Sequence, residues 1–234
     1  MKNMSIGLDL GSSSLKVVQL RKERGQAILE TYGELALGPY SGVDVGQATS
    51  LSAEKVTETL KDLLREAKVT TTSCGVSIPF ARSLLTLVEL PYRSNSKEQK
   101  TVIELEARKY IPVPLSEVQL DWFIVPEVNP SQSHEESAKG ESASGRKITV
   151  LLVAVHNDEL SLLQKVVAGA GLSASFYEIE IFSTIRAAVE DPVKPVMVID
   201  VGAASTKTYV IEHGVVALSH SISVGSHDIT RAIA

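Results

Sequence analysis

A single cysteine, Cys74, in 234 residues leaves no partner for an internal disulfide, which suits a reducing compartment. Aromatic residues make up only 5% of the chain. Positive charge is short as well: 23 Lys and Arg stand against 28 Asp and Glu, giving a net charge of −5. Nonspecific nucleic-acid binding needs a basic surface that releases counterions, so no nucleic-acid partner is expected. Long apolar runs are missing too. The longest near the middle, Ile148 to Val155, is broken by Thr149, whereas a spanning helix needs about 20 apolar residues. Met1-Lys2-Asn3-Met4 runs straight into a strand-like segment without a signal-peptide core, so a cytoplasmic protein is expected. The five histidines, His134, His156, His213, His220 and His227, have neither each other nor Cys74 at metal-ligand spacing.

An apolar share of 44% with 22% charged residues describes an ordinary globule. Within it the strongest signal is an internal repeat. Residues 6–18, Ile-Gly-Leu-Asp-Leu-Gly-Ser-Ser-Ser-Leu-Lys-Val-Val, read as strand, tight turn, strand, and residues 198–210 read the same way. Asp9 and Asp200, Gly11 and Gly202, Ser14 and Ser205, and Lys16 and Lys207 all match at one offset of 191 (200 − 9 and 207 − 16). Two copies at one offset suggest two related lobes.

Such a hairpin has a chemical use. Glycine at 11 and 202 lets the backbone approach a ligand and present N–H groups. Ser12, Ser13, Ser14 and Ser205 supply hydroxyls for phosphate oxygens. Asp9 and Asp200, brought face to face, would repel unless a cation lay between them. Magnesium fits, because it takes few carboxylates and keeps much of its water. Lys16 or Lys207 would add positive charge near the phosphates. The competing reading is a pair of ordinary polar turns, since Asp, Gly and Ser favour turns anyway. Other nucleotide motifs fail: residues 202–208 lack the second glycine of a phosphate-binding loop, and no G-x-G-x-x-G fingerprint occurs.

Between the copies the pattern predicts four helices. One is capped by Ser52, with Leu51 and Val56 as a hydrophobic staple, and one starts at a Ser96/Gln99 capping box and stops near Tyr110 before Pro112. A third runs from Asn157 to Gly169-Ala170-Gly171, and a fourth spans Glu178 to Val189. Strands are predicted at 73–78, 83–90, 119–125 and 147–155, Trp122 packing in the third and Cys74 buried in the first. The polar stretch at 127–147 predicts a long disordered loop. The division expected is a first lobe of 1–78 and 172–195, an α+β insertion over 79–171, and the start of a second lobe at 196–234. That last piece is too short to close a core of its own, so the chain is expected to be a fragment of a longer protein.

These two hairpins resemble the first and second phosphate motifs of the actin-like ATPase superfamily. More narrowly, Gly7–Val18, then Glu106-Ala107-Arg108-Lys109-Tyr110-Ile111-Pro112-Val113-Pro114 with Asp121-Trp122, and Val198–Ala203 resemble the PilM family of type IV pilus assembly. The resemblance implies an α/β, actin-like ATPase fold with an inserted α+β subdomain and a second lobe incomplete in this chain. It implies an ATP–magnesium site at Asp9, Gly11, Ser12, Ser13, Ser14, Lys16, Asp200, Gly202, Ala203, Ser205 and Lys207, with Asp9 and Asp200 toward the metal. Glu178 or, preferentially, Glu180 would occupy the position of a water-orienting polar residue. The adenosine-binding element of the family would lie beyond Ala234. The implied partner is the cytoplasmic tail of a PilN-like inner-membrane protein, docking near Tyr110, Ile111 and Pro112 and recruiting the chain to the membrane's inner face. The alternatives from other classes are a sugar-type kinase, for which no segment supplies a catalytic aspartate, and an FtsA-like division filament.

Overall fold

A computed structural model describes residues 4–126, 146–191 and 194–234. The predicted loop, apart from its last two residues, lies outside them. The described chain opens with an antiparallel meander of β1 (Met4–Leu10), β2 (Ser14–Glu23) and β3 (Gln26–Ala36). In this register Leu8 pairs with Val17 and Asp9 with Lys16. Strand alternation then sorts the side chains: Ile6, Leu8, Leu15 and Val17 are buried on one face, and Gly7, Asp9, Lys16 and Val18 lie on the other. A short turn of helix, α1 (Gly38–Ser41), precedes α2 (Ala53–Glu66), where Ser52 Oγ accepts the Lys55 N–H at 3.4 Å as its sequence predicts. The next strand, β4 (Ser73–Ile78), runs parallel to β1.

The chain then leaves this sheet. Strands β5 (Ser83–Pro91), β6 (Val118–Ile124) and β7 (Lys147–His156) form a separate antiparallel sheet of order β5-β7-β6, and α3 (Ser96–Ala107) packs on it through Ile103 and Ala107. The cap of α3 differs from the expected one. Asn95 accepts the Lys97 N–H at 2.9 Å, while the buried Gln99 carboxamide turns back to the Arg93 N–H at 2.6 Å. Gln99 thus satisfies a backbone group at the end of β5 instead of closing a capping box.

The helix α4 (Asn157–Gly169) was grouped with the insertion by sequence. Its Val166 and Val167 instead join Leu60 and Leu63 of α2 in the core under the first sheet. An amphipathic stripe shows that a helix packs, without showing on what. β8 (Ser173–Ile179) completes a five-stranded sheet of order β3-β2-β1-β4-β8. Glu178 belongs to this strand, and α5 (Glu180–Ala188) starts two residues later than predicted.

The second repeat forms its own sheet. β9 (Val196–Val201), β10 (Thr206–Glu212) and β11 (Val215–Ile222) make a meander of order β11-β10-β9, in which Asp200 pairs with Lys207 as Asp9 does with Lys16. The short helix α6 (Ser226–Ile233) follows. One face of this meander lends Tyr209, Ile211 and Val216 to a core shared with Ile78, Ile179 and Ile181 of the first lobe and Phe80 and Val155 of the insertion. The opposite face leaves Met197, Ile199, Val201 and Leu218 exposed.

Cys74 is fully buried in β4, and burial pushes its thiol pKa up. Native protein is therefore expected to resist iodoacetamide under conditions that alkylate it completely in denaturant. Equal labelling rates in both states would contradict the burial.

Candidate functional site in the interlobe cleft

Each hairpin turn is closed by its glycine. The Gly11 N–H donates to the Ser14 carbonyl at 3.1 Å, and the Gly202 N–H to the Ser205 carbonyl at 3.0 Å. A β-carbon on Gly11 would stand 2.9 Å from the Ser14 oxygen, and one on Gly202 would stand 3.1 Å from the Ser205 oxygen. Both glycines are thus required by the tightness of the turn. Their N–H groups, expected to face a ligand, are committed inside it.

The serines divide in the same way. Ser14 is buried, and its hydroxyl donates to Glu34 at 2.7 Å, pointing along the sheet rather than into the cleft. The carbonyls of Ser12 and Ser13 accept the N–H groups of Thr49 and Leu37, which holds the first turn against the segment after β3. At the second turn, the carbonyls of Gly202 and Ala203 accept from Ser226 and His227 at the start of α6.

One cavity, of about 870 Å³, joins the two repeats. It is lined by Asp9 and Lys16 of the first hairpin, Asp200 of the second, and Glu180 of α5. Gly11, Ser12, Ser13, Ser14, Gly202, Ala203, Ser205 and Lys207 lie outside its lining. Among the described residues no three His, Cys, Asp or Glu side chains converge as a ready metal cage.

The paired lysines differ sharply. Lys16 Nζ lies 3.3 Å from Asp9 and 3.9 Å from Glu34, with 46% of its side chain exposed. Lys207 Nζ lies 3.4 Å from Asp200 and 2.7 Å from Glu180, with 13% exposed. Burial pulls the Lys207 pKa down, but hydrogen bonding and charge from Glu180, with Asp200 adding, outweigh it, and the net direction is up. Glu180 is engaged from a second side, since its Oε1 accepts the Phe80 N–H at 2.7 Å. One oxygen of that carboxylate is thus shared between an ammonium and a backbone amide.

The sequence reading missed Ser183, Thr184 and Arg186, which also line the cleft. The signal was available, because Glu180, Ser183 and Thr184 share one face of α5 at helical spacing. Arg186 holds Glu178 through an ion pair, so Glu178 is a structural partner.

The segment expected to receive a partner is split by burial. Ile111 is 6% exposed and belongs to the core of the insertion, whereas Tyr110 and Pro112 face solvent. Ile111, Pro112 and Val113 line a second cavity, of about 450 Å³, with Ala81 and Arg82 on one side and Asp158 and Glu159 on another.

Two lobes that each begin with the same Asp-Gly hairpin, closing on one cleft and interrupted by an α+β insertion, define an actin-like ATPase fold. Within that class the chain belongs to the family of the type IV pilus assembly protein PilM, whose family model matches residues 7–234. The match sets the chain in that family rather than among sugar kinases or division filaments. Among solved structures it is similar to a PilM–PilN type IV pilus biogenesis complex, with 22% identity and a TM-score of 0.76 over 98% of this chain and 64% of that one. It is also similar to the cytoplasmic domain of EpsL, an inner-membrane component of the type II secretion system of Vibrio cholerae. That likeness has 12% identity and a TM-score of 0.55 over 94% of this chain and 71% of that cytoplasmic domain. The ethanolamine utilization protein EutJ from Carboxydothermus hydrogenoformans follows, with 14% identity and a TM-score of 0.50, covering 98% of this chain and 55% of EutJ. At these identities the likeness is one of fold. The chain spans just under two thirds of the PilM chain's length.

Proposed function

We propose that the chain is an actin-like scaffold of type IV pilus assembly that holds ATP with magnesium between its lobes. In this reading it docks the cytoplasmic tail of a PilN-like inner-membrane protein and so sits at the inner face of that membrane. The observation that carries the reading is the single cleft in which Asp9, Lys16 and Asp200 meet. Its volume lies within the range of small-molecule sites, about 300–1,000 Å³. Two carboxylates suit a magnesium ion that takes its remaining ligands from water and phosphate, and Lys16, exposed and weakly held, can turn to a phosphate oxygen. Asp9 and Asp200 are thus proposed toward the metal, with the turn residues 11–14 and 202–205 shaping the approach. No helix among the described residues is long and apolar enough to cross a membrane, and the PilM relative is seen in complex with PilN.

For docking we assign the cavity beside Pro112. Proline supplies no N–H, so the segment cannot pair fully as a strand and leaves apolar side chains at a rigid bend. Such a rim suits an extended peptide. The test is to titrate a labelled tail peptide of the neighbouring pilus membrane protein against this chain. Val113→Asp and Arg82→Glu, each with an unchanged melting temperature, are expected to weaken binding at least about tenfold, or about 1.4 kcal/mol. Undiminished affinity in both variants would place the peptide elsewhere.

A further inference from the structure

We infer that Lys207 is a latch between the nucleotide cleft and the partner-docking cavity, and that Glu180 is its keeper rather than a catalytic base. The inference rests on the function proposed above but is built from contacts of the chain alone. The path is continuous. Asp200 lines the cleft and pairs with Lys207. Lys207 reaches across to Glu180 Oε1 at 2.7 Å, and that same oxygen accepts the Phe80 N–H at 2.7 Å. Phe80 is followed directly by Ala81 and Arg82, which line the docking cavity, and Arg82 pairs with Glu159 across it at 3.3 Å. Three parts of the chain that are remote in sequence thus meet at one carboxylate: the second hairpin, α5 and the start of the insertion.

The first hairpin shows that this arrangement is not dictated by the repeat. Lys16 occupies the same cross-strand position opposite Asp9, yet it is 46% exposed and its second carboxylate is 3.9 Å away. The lysine of one repeat stays half exposed in a surface pair, and the lysine of the other is locked into the junction. Beneath the lock, Tyr209, Ile211 and Phe80 share one core with Ile179 and Ile181, so movement of β10 is transmitted to the insertion through packed side chains. A cation arriving at Asp200 competes with Lys207 for that carboxylate. Lys207 is then left with Glu180 as its one partner, and the hold on the Phe80 amide changes with it. Coupling of this kind is reciprocal, so a peptide seated beside Arg82 would alter nucleotide affinity by the same factor.

Hydrogen exchange tests the latch without any ligand. Removing the lysine from this partly buried cluster leaves Glu180 and Asp200 without their shared counter-charge, which is destabilising locally. Lys207→Met is therefore expected to speed amide exchange about tenfold or more in both residues 79–83 and β10, while Lys16→Met leaves both segments at the wild-type rate. Wild-type protection of residues 79–83 in Lys207→Met would overturn the latch. Should that variant fail to fold, Glu180→Gln keeps an acceptor for Phe80 but weakens the hold on Lys207. It is expected to speed exchange in β10, and unchanged β10 exchange would equally overturn the proposal. The second arm adds MgATP at saturation. Wild-type chain is expected to change its exchange over residues 79–83, and Lys207→Met to show no such response; an identical response in both would remove Lys207 from the path. If wild-type chain binds no MgATP, the nucleotide reading falls, and the ligand-free arm still decides whether the latch exists.

Discussion

Asp9→Asn and Asp200→Asn are each expected to weaken magnesium-dependent ATP binding at least tenfold, a loss of about 1.4 kcal/mol or more. Both aspartates line the interlobe cleft, each beside a lysine, and a magnesium ion seated there would draw on both carboxylates. Asparagine keeps the shape and removes the charge, so the variant isolates the electrostatic contribution. The fold is expected to survive. Asp9 is about half exposed and its pair with Lys16 is a surface pair, of the kind that contributes about 0–1 kcal/mol. Asp200 is more enclosed, yet its loss still leaves Glu180 on the Lys207 ammonium. Calorimetric titration of MgATP into wild-type and variant chains, repeated with the magnesium chelated, checks the expectation. Chelation should lower wild-type affinity and bring the three proteins together. Equal magnesium-dependent affinity in all three would make the hairpins ordinary turns.

Much of this site was legible in the sequence because a cross-strand pair is a pattern of residues. Asp at strand end, glycine at the turn and lysine seven positions after the aspartate specify a tight hairpin, and both copies adopt it with Asp9 opposite Lys16 and Asp200 opposite Lys207. What each lysine does was not legible. The partner that separates them, Glu180, sits on another element, and only the packing of α5 against β10 brings it within 2.7 Å of Lys207. The setting of Ser14 was hidden for a similar reason: its hydroxyl meets Glu34 only because β3 places that residue beside it. Nothing in the periodicity marks β3, a strand at the edge of its sheet whose Leu29 and Tyr32 are exposed, so alternating burial leaves a weak trace. The affiliation of α4 was hidden in the same sense. Its stripe of Leu160, Leu163 and Val167 was plain, and the choice between two sheets to cover is a tertiary fact.

Gly225→Ala should cost about 2–3 kcal/mol, as overpacking a filled site does, and lower the melting temperature by about 4–12 °C for a chain of this size. Gly225 has φ −124° and ψ −174°, extended backbone that any residue adopts, so the demand for glycine here is spatial. A β-carbon would stand 2.2 Å from the Ala203 carbonyl oxygen and 2.6 Å from that of Gly202. These are backbone atoms of the second hairpin turn and cannot rotate aside. They are also the acceptors for Ser226 and His227, at 2.8 and 3.2 Å, so pushing them away breaks both hydrogen bonds that seat α6 on the turn. The Gly225 N–H, held by Asp228 at 3.0 Å, would be strained by the same shift. Gly7→Ala is the matched control: no atom lies within 4 Å of its β-carbon position, and alanine on an extended strand restricts the unfolded chain, so stability should hold or rise by about 0.4–1 kcal/mol. Thermal melts followed by circular dichroism separate the two. Gly225→Ala melting with the wild type would mean that α6 is not seated on the hairpin. A fall of the expected size would show that the second hairpin turn is held in shape by the helix that follows it.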